Sequence, residues 1–202
     1  MSDRNDILEL EAHAPYPARD FSTLKGLRHL PDGLIAAHLK LYEGYVRSLN
    51  LLRRSLRSAR RGSPEWSEME RRIGFEINGM RLHELYFENL SPAGSLPPRT
   101  LEDALAPAWG SFKEWKEEFL ALGQMRGVGW VILDQDPAGG RLSNQWIGLH
   151  EEGHPAGFVP LLVMDVWEHA YTGMERTVYV DAFFENIHWP TVQARLDAQS
   201  SL

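Results

Sequence analysis

The chain contains no cysteine in its 202 residues. Disulfides, thiolate metal sites and cysteine nucleophiles are thereby excluded, and any bound metal must be held by His, Asp or Glu. Long apolar runs are also missing. Nothing approaches the roughly 18 consecutive apolar residues of a membrane span, and the opening Met1-Ser-Asp-Arg-Asn-Asp-Ile7 has no apolar signal region, so a soluble cytoplasmic protein is expected. Positive charge is in short supply: 21 Lys and Arg stand against 28 Asp and Glu, a net charge of −7. That balance argues against nucleic acid as the main partner, and Arg53-Arg54 and Arg60-Arg61 read as a solvated helix face. Internal repeats and low-complexity tracts are absent, while 43% hydrophobic residues suffice for a sizeable core.

The hydrophobic pattern changes period midway along the chain. Residues 1–31 are expected to be irregular, broken by Pro15, Pro17 and Pro31. Asp32 reads as a helix N-cap, followed by Leu34, Ile35, His38, Leu41, Tyr42, Tyr45, Leu49, Leu52 and Leu56 at spacings of mostly three or four, with an end near Gly62. Ser63-Pro64 is a second start signal, Ser as cap and Pro at the first helical position, and the stripe Ile73, Ile77, Met80, His83, Phe87 runs on toward Pro92. Two long helices with a short turn predict an antiparallel hairpin over 32–98. Short helices are expected around Leu101–Leu105 and Phe112–Leu122.

Gly127–Leu133 and Leu142–Leu149 read as strands flanking the turn Asp136-Pro-Ala-Gly-Gly140, and should pair. Val159–Met164 is a third strand candidate, and Thr177–Asn186 a final helix. The fold class expected is α+β: an N-terminal antiparallel helical hairpin, then over 99–202 a small three-stranded antiparallel sheet covered by helices.

The chemistry gathers at Asp165-Val-Trp-Glu-His169-Ala-Tyr171, directly after the apolar run Val159–Met164. A carboxylate and an imidazole four residues apart can converge on one cation, either on a helix face or where a strand turns outward. Among apolar and aromatic neighbours an unpartnered Asp165 would be costly to bury. His38 and His83 fall on the inner stripes of the two hairpin helices, and an antiparallel hairpin can bring them together. Each alone is more often a satisfied core histidine. With Asp165 and His169 downstream, all four are expected in one site. Three imidazoles and a carboxylate suit Fe, Mn, Zn or Cu, and spacing alone does not choose among them. His13, His29, His154 and His188 lack this context and are expected in loops or at the surface.

These residues resemble the iron/manganese superoxide dismutases. Asp165-Val-Trp-Glu-His-Ala-Tyr171 is similar to that family's signature almost residue for residue. Gly127-Val-Gly-Trp130 resembles its Gly-x-Gly-Trp, Asn186-Ile-His-Trp189 its closing Asn-x-x-Trp, and Tyr45-Val-Arg-Ser-Leu-Asn50 its Tyr-Val-x-x-x-Asn. Phe75-Glu-Ile-Asn78, five residues before His83, is similar to its Phe-Asn-Asn stretch. The likeness spans about residues 32–196. It implies a helical hairpin and an α/β domain with one Fe or Mn ion between them, redox-cycling to convert superoxide to dioxygen and hydrogen peroxide, in a homodimer or homotetramer.

Position by position, the resemblance implies His38, His83, Asp165 and His169 as ligands, with a solvent molecule completing the shell. Tyr45 corresponds to the gateway tyrosine, Trp130 and Trp167 to walls of the pocket, and Tyr171 to a further residue around it. Glu168 would reach His169 of a second subunit, where a carboxylate on a ligand imidazole fixes its tautomer. In the family a Gln or His holds the bound solvent. Gly79, four residues before His83, leaves that space empty from the N-terminal half, and His150, fifteen before Asp165, can fill it from the other.

Three departures stand out. Tyr45 follows His38 by seven residues where the family has eight, and both histidines that usually intervene are gone. Loss of a π-bulge could absorb the missing residue, leaving Tyr42 near the place of a histidine that links the gateway to the neighbouring subunit. Thr172–Tyr179 replaces the usual Asn-x-Arg-Pro-x-Tyr stretch, with Arg176 standing in for its arginine. Superoxide is an anion and the chain is acidic, so access must depend on local positive potential, for which Lys40 and Arg81 are both candidates. Alternatives to dismutation are another non-haem Fe/Mn oxidoreductase, or a metal-binding protein of the same fold with little activity. A metal-free helical interaction module leaves Asp165 unexplained.

Overall fold

A computed structural model describes residues 14–199. The expectation of irregular chain over 1–31 falls partly outside those residues, as does the one for His13. From 14 to 31 the backbone forms no helix or strand.

Helix α1 spans Asp32–Ser58 and α2 spans Pro64–Glu88, with Arg60 and Arg61 in the turn between them rather than on a helix face. The Ser63 hydroxyl accepts from the Trp66 amide, and Pro64 opens the helix without wasting an amide, as its fixed φ allows. Asp32 does not cap α1. Pro31 occupies that position, and the Asp32 carboxylate instead accepts from the Gly26 amide, tying down the preceding loop. The helix stops at Ser58, four residues before Gly62, because Ala59 turns extended. It is continuous α-helix, without a π-bulge.

Short helices α3 (Arg99–Trp109) and α4 (Phe112–Gly123) lead into the sheet. Strand β1 (Gly129–Gln135) lies in the middle, antiparallel to β2 (Leu142–Gly148) on one side and β3 (Val159–Asp165) on the other. A central strand is the most enclosed of a sheet, and every residue of β1 is buried, the polar Asp134 and Gln135 at its end included. Gly129 has to be glycine: its φ is +151°, and a Cβ there would lie 1.9 Å from the Ile147 carbonyl oxygen. A 3-10 turn, Glu168–Tyr171, follows β3, then α5 (Arg176–Glu185). That helix is not the last, since Trp189–Gln199 forms α6 against β3. Its pattern was obscured by a Pro at its second position, which a helix start tolerates.

The core is continuous between the two halves of the chain, from Ile35, Tyr42 and Leu49 of α1 through Trp130–Leu133 of β1 to Tyr179 and Phe183 of α5. Asn89, just beyond α2, accepts from the Val163 amide of β3, and Asn186 exchanges two hydrogen bonds with the Arg28 backbone. Helix α2 and strand β3 are thus locked in register. None of the helices among the described residues is long and apolar enough to cross a membrane.

Candidate metal centre

Four side chains from three places in the chain meet where the hairpin rests on the sheet. His38 and His83 project inward from α1 and α2, Asp165 ends β3, and His169 sits in the 3-10 turn. One ligand atom from each lies within 4.8 Å of all the others. Asp165 Oδ2 is 3.1 Å from His38 Nε2, 3.1 Å from His169 Nε2 and 3.7 Å from His83 Nε2. Asp165 leaves a strand rather than lying on a helix, so the four-residue spacing to His169 works through a bend. Its Oδ1 accepts from the Trp167 amide at 2.7 Å, which stiffens that bend, and its carbonyl accepts from the Tyr179 hydroxyl at 2.6 Å.

Tautomers decide what the cluster can hold. His83 Nδ1 lies 2.5 Å from the Gly79 carbonyl, which can only accept, so the proton is on Nδ1 and the lone pair on Nε2. That lone pair is buried without a hydrogen-bond partner and faces a carboxylate oxygen. Two inward lone pairs repel unless a cation lies between them, and N/O donors of this number suit iron or manganese. Burial lowers the pKa of His38 although Asp165 opposes it; burial, then the His38 charge, lowers that of His83 well below the usual value. Burial thus favours in both rings the neutral form that a ligand imidazole must take. Burial pushes the Asp165 carboxyl up, but the charges and hydrogen bonds of His169 and His38 outweigh it and hold the group ionised.

Around the cluster the rings are close. His38 lies 5.1 Å from Tyr86, His83 lies 5.0 Å from Trp130, and Trp167 stacks 5.9 Å from His169. His150 is fully buried just beyond β2. Trp130 Nε1 donates to its Nδ1 at 2.9 Å, so its own proton is on Nε2, 2.7 Å from the Tyr45 hydroxyl. Both ring nitrogens are engaged within the chain. Through Tyr45, which lies 5.2 Å from the His83 ring, His150 is linked to the edge of the cluster. Burial lowers the pKa of His150 to about 4 and raises that of Tyr45 to about 12.

Gly79 does leave space, and the Tyr45 ring lies against it. A Cβ there would lie 2.5 Å from Tyr45 Cδ1, so the glycine admits the tyrosine ring. With one residue fewer between His38 and Tyr45, the ring approaches α2 closely and still meets His150. Tyr42 donates to the buried Glu84 at 3.0 Å and accepts from the Arg19 amide, links within its own chain. Tyr171 packs 5.6 Å from Tyr179. Glu168 is exposed next to His169, whose side chain is 24% exposed. Arg176 donates to the Gly123 and Gly127 carbonyls. His29 is exposed, His188 pairs with Thr191, and His154 reaches the His150 carbonyl. Tyr86, Tyr179 and Glu84 were not singled out from sequence, since an aromatic or acidic residue on a helix stripe carries no distinguishing signal. A concavity of about 890 Å³ bordered by Pro15, Arg47, Arg53, Arg57 and Ile73 lies elsewhere and includes none of the clustered residues.

Known proteins share this arrangement's sequence. Residues 97–195 match the profile of the C-terminal domain of iron/manganese superoxide dismutases. The chain is 36% identical to "Superoxide dismutase [Fe]" of Cupriavidus metallidurans over 181 residues, covering 85% of this chain and 91% of that protein. It is 34% identical to "Superoxide dismutase [Fe]" of Pyrobaculum aerophilum over 168 residues, covering 79% and 80%. It is 40% identical to "Superoxide dismutase [Mn] 2" of Halobacterium salinarum over 129 residues, covering 61% and 64%. With a buried N/O cluster between hairpin and sheet and relatives matched over most of their length, this chain belongs to the iron/manganese superoxide dismutase family.

Proposed function

We propose that the protein is a superoxide dismutase working with one Fe or Mn ion held by His38, His83, Asp165 and His169. The observation that carries this is the inward-facing pair of lone pairs on His83 and Asp165 inside a four-donor cluster. The bound ion supplies one-electron chemistry, so that two superoxides and two protons yield dioxygen and hydrogen peroxide. The chain's own residues do the rest. Asp165 contributes the single negative charge among the donors, and the surrounding rings exclude water, which strengthens electrostatics at the site. His150, neutral, donates to the Tyr45 oxygen and turns the tyrosine's own O–H outward. Tyr45 keeps its proton at neutral pH and serves as donor to the reduced substrate, with Trp130 fixing the His150 tautomer behind it. Tyr42 and Tyr171 support the ligands from outside, and Trp167 closes the wall over His150 and His169.

The reading includes a cytoplasmic location and division into an N-terminal segment over 1–31, a hairpin domain over 32–98 and an α/β domain over 99–202. It also includes a homodimer or homotetramer in which Glu168 of each copy reaches His169 of the other, for which the exposed Glu168 and part-exposed His169 are the support. Glu168→Ala should then shift the mass in light scattering toward monomer and lower metal retention together. Elemental analysis of protein purified without added metal, followed by a superoxide assay on the same sample, tests the whole. Full occupancy with negligible dismutation would make the protein a metal binder only.

A further inference from the structure

An acidic protein that consumes an anion needs a cation near the entrance, and neither sequence candidate fits. Lys40 is exposed two residues past His38, on a different face of α1. Arg81 donates to Glu84 at 2.7 Å and lies over the Tyr16 ring, so its pairings are with residues outside the Tyr45, Phe75 and His150 group. Arg72 is placed differently. Its guanidinium covers the Phe75 ring at 3.8 Å, and that ring in turn meets His150 at 4.5 Å and Tyr45 at 6.4 Å. The Arg72 side chain is 50% exposed, so one side faces solvent and the other backs the pair that guards the centre.

Arg72 Nε also donates at 2.8 Å to Glu76, a carboxylate buried one helical turn further along α2. The two charges are separated along a line from the interior to solvent, negative inside and positive outside. Both are felt at the gate. The Glu76 charge raises the pKa of Tyr45 and the Arg72 charge lowers it, and Arg72 also lowers that of His150. A buried carboxylate beside the path of an anion repels it, unless a cation offsets the field from the solvent side.

We propose that Arg72, stacked on Phe75 and paired with Glu76, is the positive charge that draws the anionic substrate to the Tyr45 entrance and masks Glu76 from it. The proposal rests on the dismutase reading for its substrate. It is a positioning role for a small monoanion, exerted through charge.

The test compares Arg72→Ala, Arg72→Lys, Glu76→Gln and the double variant Arg72→Ala/Glu76→Gln in metal-loaded protein, with metal content and mass checked first. Steady-state kcat/KM for superoxide is measured against ionic strength, and azide, a monoanion of the same charge, is titrated by absorbance. Arg72→Ala should lower kcat/KM by about three- to tenfold at low salt, leave kcat near the parent value and weaken azide binding by a similar factor. The deficit should vanish toward about 1 M salt, where the screening length falls to about 3 Å. Arg72→Lys should stay within about twofold of the parent, Glu76→Gln should bind azide more tightly, and the double variant should recover much of the loss. A deficit unchanged by salt, Lys behaving like Ala, or unaltered azide binding in Arg72→Ala would each overturn the proposal. Failure of the parent protein to dismutate superoxide while azide still discriminates the variants would sink the functional reading and leave Arg72 as an anion-attracting residue.

Discussion

The helical side of the centre and the sheet side are built differently. His38 and His83 come from the interiors of two long helices, have no exposed side-chain surface, and are held chiefly by ring packing against Tyr86, Phe87 and Trp130, with His83 Nδ1 also on the Gly79 carbonyl of its own helix. Asp165 and His169 come from a strand end and a single 3-10 turn, and are held by hydrogen bonds: Trp167 amide to Asp165 Oδ1, Tyr179 hydroxyl to Asp165 carbonyl. One side is a fully buried wall. The other carries the charge and the part-exposed imidazole. Helix interiors satisfy most of their own backbone, so packing can fix their side chains, whereas irregular chain must use side chains and termini to satisfy itself.

The comparison breaks hardest at Asp165, on which both sides depend. Asp165→Ala removes the charge that three imidazoles face, and should abolish metal retention and cost the loaded protein about 3–5 kcal/mol. Elemental analysis and thermal unfolding read this. Retention of stoichiometric metal would show that the sheet side is dispensable.

Next in size is the contrast between His83→Ala and His169→Ala. Both should lose metal, but only His83→Ala should damage the metal-free protein, by about 2–4 kcal/mol, because it opens a cavity in packed rings. His169→Ala should cost the metal-free protein about 1 kcal/mol or less, its side chain being part exposed. Equal losses in denaturant unfolding of the metal-free variants would erase the distinction between the two sides.

A smaller effect separates two carboxylates within the sheet. Asp165 has partners, whereas Asp134 of β1 is buried with Oδ1 unpartnered, and burial raises its pKa to about 7. The folded state therefore binds a proton that the unfolded state has released between about pH 4 and pH 7, so this group's contribution to stability declines as pH rises through that window and levels off above it. The decline should reach about 2–3 kcal/mol between pH 5 and pH 8 and disappear in Asp134→Asn. Parallel stability profiles for parent and variant would show that the carboxyl has a partner in solution.

The smallest effect lies at the seam. Gly79→Ala gains up to about 1 kcal/mol of helix propensity but sets a methyl against the Tyr45 ring, which His150 holds from the other side. Overpacking should win, by about 1–2 kcal/mol net. Metal content should stay full while kcat falls as Tyr45 shifts. A more stable and fully active Gly79→Ala would mean that the ring has room to yield.

Much of this was legible without coordinates where the cause is local. Three- and four-residue spacing placed His38 and His83 on inner helix faces, Ser63-Pro64 marked a helix start, and Asp136–Gly140 marked the hairpin turn, because each depends on neighbours in the chain. Asp32 misled, since its side chain had a better use six residues back, and α6 was hidden by the Pro within its first turn.

Sequence by itself determined which donor types the protein offers and which element carries each: no thiolate was available, and helix and strand periods dictate which face a residue takes. Only tertiary structure decided who meets whom. Gly79 proved to be the seat of Tyr45, His150 spent both nitrogens on Trp130 and Tyr45, Tyr42 turned to Glu84, and Arg72 came to rest over Phe75. Those pairings join residues on separate elements, and their geometry follows from how closely α2 packs on α1 and on the sheet, a distance set by the summed volumes of the core rather than by any stretch of chain.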